Sequence, residues 1–132
     1  MTLYVDTSAL LKLYVDEPES AACEAFLDDD GDWVTAAHTL VEMRRNLARL
    51  LSGDALEDAL VQFRLDWDGL RVIELDLAVC EAAAEVAERT GARSLDALHL
   101  AAAVAAGGPT MVTYDARLAA AASVLGLGSA AP

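Results

Sequence analysis

At 132 residues and 55% hydrophobic, the chain can fold one domain around its own core without a disulfide or a structural metal. Its formal net charge of −13 excludes a broadly basic surface of the kind that most nucleic-acid binders present. Such binding then requires that carboxylates hold cations, or that the basic residues gather on one face.

The two cysteines, Cys23 and Cys80, and the two histidines, His38 and His99, lack the spacing of a zinc site. Both thiols read as buried small hydrophobes, a usage suited to a reducing cytosol. No basic stretch precedes the apolar start, and Asp6 interrupts it, so no signal peptide is expected. The alanine-rich run over residues 97–112 is broken by His99, Gly107, Gly108 and Pro109 and is too short to span a bilayer. A cytoplasmic protein with no membrane contact is the expectation.

In chain order, TLYV (2–5) predicts a buried strand. A first helix is expected from Thr7 to about Val15, and a second from Pro18 to about Asp29. The acidic run Asp28, Asp29 and Asp30 reads as a solvated turn. WVTA (33–36) is the next strand. His38 to Leu51 has apolar residues at Leu40, Met43, Leu47 and Leu50, the stripe of a half-buried helix that Gly53 stops. Another helix covers about 54–67. RVIEL (71–75) is a third strand, followed by a helix from Asp76 or Leu77 to near Gly91. Ser94 is the expected cap of a nearly all-apolar helix that ends at Gly107, Gly108 and Pro109. TMVTY (110–114) is a fourth strand, and Asp115 caps a last helix reaching about Leu125. In the tail GLGSAAP a fifth strand would be very short or absent.

Strands separated by helices imply parallel crossovers. The expected fold is a three-layer α/β sandwich, with a short parallel sheet of four to five strands flanked by helices, in a single domain over 1–132. Sites in such folds lie outside the carboxyl ends of the strands. Asp6 and Asp115 fall there, although either alone also reads as a simple N-cap. Asp96 stands in the first turn of the apolar helix. The helix dipole tolerates an acid there but does not explain its placement against a core. Glu42 borders the stripe of Leu40, Met43 and Leu47, and a surface pair with Arg45 or Arg49 is its plain alternative. Four clustered acids would repel one another unless divalent cations offset the charge. An all-oxygen donor set suits Mg²⁺ or Mn²⁺ rather than Zn²⁺.

The runs VDTSALLKLYVDE, LVEMRRNL, SLDALHLAAA and MVTYDARLAAAASVLGL closely resemble PIN-domain proteins, and within them the VapC toxins of bacterial VapBC pairs. The resemblance spans nearly the whole chain, with its motifs in order. It implies a metal-dependent endoribonuclease, a homodimer, and a cognate VapB-like antitoxin whose C-terminal segment covers the site. It matches Asp6, Glu42, Asp96 and Asp115 to the family's four acids, Thr113 to a hydroxyl two places before the last acid, and Ser8 to a small polar residue after the first.

Arg44, Arg45, Arg49 and Arg117 accompany these motifs and are the expected RNA phosphate contacts, with a salt-bridged surface role as their alternative. His99 reads as a core histidine, His38 has no expected role, and Trp33 and Trp67 read as core or dimer contacts. A haloacid-dehalogenase-type phosphatase would need an acid where Ser8 stands. A receiver domain would need a late lysine, and the only lysine is Lys12. A PIN-like module that binds RNA or protein without cutting is the remaining alternative.

Overall fold

The computed structural model describes residues 2–132, with Asp30 described through its backbone alone. Five strands form one sheet: β1 (Leu3–Val5), β2 (Trp33–Ala36), β3 (Arg71–Ile73), β4 (Thr110–Val112) and β5 (Ser129–Ala130). Every pairing is parallel, and the spatial order is β3-β2-β1-β4-β5. From β1 the chain winds outward through β2 and β3, then returns to place β4 on the other side of β1. That reversal makes the β1–β4 boundary the topological switch point, where open α/β sheets leave a crevice.

Side-chain alternation divides the sheet into two apolar faces. Leu3, Val5 and Val112 pack into a cluster with Leu10, Cys23, Leu27, Met43, Leu47 and Phe63. The helices on that side are α1 (Thr7–Leu10), α2 (Ser20–Asp30), α3 (Thr39–Leu50) and α4 (Gly53–Gly69). Tyr4, Val34, Ala36 and Met111 face the opposite way, onto Leu100, Ala102, Ala103, Leu118 and Ala122. These last belong to α6 (Ser94–Ala105) and α7 (Ala116–Val124), with α5 (Leu77–Thr90) packed outside α6 through Ala83, Ala97 and Ala101. The expected three-layer sandwich is therefore present, and the alanines of α6 allow the close approach of sheet and α5.

Several local expectations are corrected. The first helix has only one turn of α-helix and continues as a 3-10 turn over Leu11–Leu13. The second begins at Ser20, because Pro18 biases its predecessor away from helix and the Ser20 hydroxyl closes a turn. That hydroxyl donates to the Val15 carbonyl and accepts from the Glu17 amide, both at 3.0 Å. Asp28 and Asp29 are exposed residues of the last turn of α2, which Gly31 ends at φ 70° in the left-handed region. Of Asp30 the side chain lies outside the described residues. Gly53 opens α4 instead of ending α3. Arg93 is the cap residue of α6 and makes no side-chain cap bond, so Ser94 is the first helical residue. Cys23 is buried as expected, but Cys80 is exposed on α5. Strands β3 and β4 stop two residues earlier than their apolar runs, whereas β5, two residues long, is as short as expected. No helix among the described residues is long and apolar enough to cross a membrane.

Candidate active site

The carboxyl ends of β1 and β4 lie side by side, with Val5 paired to Val112. The next residues, Asp6 and Thr113, meet there: the Thr113 hydroxyl donates to Asp6 Oδ2 at 2.6 Å. Ser8 donates to Asp6 Oδ1 at 2.8 Å, and the Ala9 amide donates to the same oxygen at 3.0 Å. Ser8 Oγ in turn accepts from the Tyr114 amide at 2.9 Å, and Thr113 Oγ1 from the Asp115 amide at 3.0 Å. These bonds staple the two strand ends around one carboxylate. Asp6 is only 3% exposed. Burial pushes its proton affinity up, and the bonds from Thr113, Ala9 and Ser8 offset this only in part.

Asp115 caps α7 as the sequence suggested, with Oδ1 accepting from the Arg117 and Leu118 amides at 2.9 and 3.3 Å. Asp6 likewise caps α1. Capping and site membership coexist in both. Asp96 sits in the first turn of α6; burial, then repulsion from Asp115, raise its pKa.

Glu42 forms neither of the surface pairs considered for it. Its Oε1 accepts from the Thr7 hydroxyl at 2.8 Å and from His99 Nε2 at 2.7 Å. Burial works against its ionisation, but the His99 hydrogen bond and charge, with Thr7, hold the carboxyl below its ordinary value. His99 is thus a buried histidine that also reaches the site. With Nε2–H given to Glu42, its Nδ1 accepts from the Tyr4 hydroxyl at 2.7 Å. Burial, then Asp6 and Glu42, hold the Tyr4 phenol well above its ordinary value and so keep it a donor.

Asp6, Glu42, Asp96 and Asp115 line one open cleft of about 250 Å³, together with Ser8, Asn46 and His99. They share this cleft without forming one tight shell. The set of three donor atoms all within 4.8 Å of one another, among the described residues, is His38, Glu42 and His99. His38 therefore belongs to the site's edge, which sequence reasoning missed. Only its position four residues before Glu42 on the same helical stretch pointed there.

The four acids bring oxygen donors to one cleft, and there burial at Asp6, and burial with repulsion from Asp115 at Asp96, disfavour an unpartnered negative charge. That donor chemistry fits a hard divalent cation. Of the arginines, Arg117 shares a second cleft with Asp96 and with Arg93, which the sequence had not singled out. Arg45 is exposed, and Arg49 donates to Asn46 at 3.2 Å. Arg44 lines a separate groove between α3 and α4, with Leu40 and Trp67.

The PIN domain family model matches residues 3–124. The chain belongs to the PIN-domain family. Ribonuclease VapC35 of Mycobacterium tuberculosis is 41% identical over 137 residues, covering 98% of this PIN-domain chain and 96% of that protein. Ribonuclease VapC47 of the same organism is 35% identical over 136 residues, covering 98% and 96%. Among solved structures, FitAcB of Neisseria gonorrhoeae superposes with a TM-score of 0.76 at 22% identity, covering 98% of this chain and 97% of that one. VapC20 of M. tuberculosis, a sarcin-ricin loop cleaving toxin, superposes with a TM-score of 0.73 at 23% identity, covering 90% and 94%. These structural likenesses carry the fold.

Proposed function

We propose that this PIN-domain protein is an endoribonuclease of the VapC type that hydrolyses RNA phosphodiester bonds with Mg²⁺, Mn²⁺ serving as a substitute. One observation carries the reading: four carboxylates from four separate stretches of chain line one cleft at the switch point of the sheet. The full-length kinship with curated VapC ribonucleases supports it.

Asp6, Asp96 and Asp115 would hold the cation, with Glu42 as the fourth acid. A divalent ion bound there supplies water activation and neutralises charge developing on the phosphate oxygens. The chain's own residues do the rest. Thr113 and Ser8 fix both oxygens of Asp6, so the carboxylate needs no reorganisation when substrate arrives. Thr7 and His99 hold Glu42 ionised and oriented. Arg93 and Arg117 flank Asp96 and offer the phosphate backbone positive charge beside an acidic mouth.

The rival chemistries fit less well. Ser8 donates to Asp6 instead of supplying a second acid, against a haloacid-dehalogenase phosphatase. Lys12 is engaged by Glu17 and Glu19, against the free lysine of a receiver. A silent RNA- or protein-binding PIN-like module could use Asp6 for capping and stapling alone, but would have no need to bring Glu42, Asp96 and Asp115 into the same cleft. As in VapBC pairs, the protein would act in the cytoplasm as a toxin and homodimer, held by a VapB-like antitoxin whose basic C-terminal segment meets the acidic cleft.

The test is RNA cleavage by the purified protein freed of any partner. Cleavage should require Mg²⁺ or Mn²⁺ and stop with EDTA. Asp6→Asn should slow it by at least about 100-fold, since even outer-shell losses cost metal sites 10–100-fold, while circular dichroism stays unchanged. An Asp6→Asn protein as fast as wild type would falsify the mechanism.

A further inference from the structure

The edge of the cleft carries a donor set of a different kind from the four acids. His99 Nε2 and His38 Nε2 stand 2.7 and 3.7 Å from the same oxygen of Glu42. All three donor atoms lie within 4.8 Å of one another. The two imidazole rings have centroids 4.1 Å apart, inclined at 43°. We propose that His38, His99 and Glu42 form a second cation site, selective for a borderline transition ion of the Zn²⁺ class, and that filling it weakens the part Glu42 plays in the acidic cleft.

Two nitrogens and one carboxylate oxygen suit Zn²⁺, Co²⁺ or Ni²⁺, whereas Mg²⁺ prefers oxygen alone. Tetrahedral zinc with ligands about 2.1 Å away places those ligands about 3.4 Å apart. The existing separations come to that value through movements of roughly 1 Å or less, and a fourth position stays open for water.

The outer shell is already present for His99. A metal-bound histidine normally donates its other N–H to a fixed partner. Here the Tyr4 hydroxyl stands 2.7 Å from His99 Nδ1. Binding needs a tautomer change with one hydroxyl rotation: the proton sits on Nδ1 in place of Nε2 and is shared in a hydrogen bond with the Tyr4 oxygen, the Tyr4 O–H turns toward Thr35, and the ring stays neutral. His38 changes tautomer in the same way. In the metal-free protein its Nε2 donates to the Leu95 carbonyl at 3.1 Å, and Nδ1 is buried with no partner. After the change Nδ1 carries the proton instead, so one ring nitrogen is unpartnered in either state. The Leu95 carbonyl lies in the first turn of α6 and keeps its helical partner. The His38 side chain is 9% exposed, so solvent reaches the pocket edge without flooding it.

Occupancy has a consequence that rests on the nuclease reading. With Oε1 held by that ion, only Oε2 is left for the acidic cleft, and the added positive charge beside it weakens the pull of Glu42 on a cation there. A Zn²⁺-class ion would therefore oppose Mg²⁺-dependent cleavage without competing for Asp6, Asp96 or Asp115.

The experiment titrates the whole protein with Co²⁺, a coloured stand-in for Zn²⁺, in excess Mg²⁺. One equivalent should give the visible absorption of nitrogen-ligated cobalt. His38→Ala and His38→Asn should each weaken that binding by at least about 100-fold, and two variants guard against loss of fold in one. In parallel, the ratio of cleavage rates with and without Zn²⁺ is taken within each protein; it should fall at least tenfold for wild type and stay near one for the variants. Cobalt binding unchanged in both variants, or cobalt displaced by Mg²⁺, would overturn the site. Zn²⁺ bound through His38 with undiminished cleavage would overturn its inhibitory role. Should the wild type cut no RNA at all, the nuclease reading fails and the cobalt titration still decides the site.

Discussion

Asp6 and Glu42 are treated in opposite ways by their surroundings. Asp6 receives three donors and is nevertheless left with a raised proton affinity, because burial outweighs them. Glu42 is less buried and has a histidine against it, so its charge is favoured. The first arrangement disfavours a bare charge on the carboxylate, and the second favours an ionised carboxylate through a hydrogen bond. Away from the site, Tyr14 follows the same physics. Its hydroxyl donates to Asp66 Oδ2 at 2.6 Å and its ring meets Phe63 edge-on at 5.5 Å. Burial, then Asp66, hold the phenol well above its ordinary value of 10.0. A raised folded value contributes stability that is complete below pH 10.0 and is lost as pH rises, since the unfolded chain gives up the proton first. Urea unfolding midpoints should therefore fall above pH 10.0, and Tyr14→Phe should flatten that decline; an unchanged slope would show the phenol to be unimportant. Asp6, Asp96 and Asp115 were legible as oddly placed acids near helix starts. The Glu42–His99 bond was not, because nothing in the local pattern links residues 57 positions apart.

Among the elements, α6 bears the site on one end and the core along its length. Asp96 and His99 stand on its first turns, while Ala102 and Ala103 are fully buried near Tyr4, Val34 and Met111. An added side chain has nowhere to go. Ala102→Leu should destabilise the fold by about 1–3 kcal/mol and weaken divalent binding as the head of the helix moves. Val104→Leu, at an exposed position of the same helix, should stay within about 0.5 kcal/mol of wild type. Chemical denaturation of the two variants checks this, and equal losses would mean that α6 is not tightly packed. The alternation of strands and helices was readable from apolar runs and Gly-Pro stops. Element ends were less so, because they depend on tertiary hydroxyl bonds such as those of Ser20 and Thr113.

At the scale of the whole molecule, the sheet order explains why distant acids meet. A sequence of alternating elements does not state which strands are neighbours, and only the β1–β4 pairing brings Asp6 beside Thr113 and Asp115. The same pairing resolves the conflict between a net charge of −13 and a polyanionic substrate. Part of that charge is concentrated in one cleft, where the proposed cation would sit, and Arg93 and Arg117 line the neighbouring cleft that shares Asp96. Mn²⁺ soaked into crystals of the protein, located by its anomalous scattering, addresses this most directly. The account predicts a peak bounded by Asp6, Asp96 and Asp115 that disappears in Asp6→Asn. A peak elsewhere, or one that survives that substitution, would contradict it.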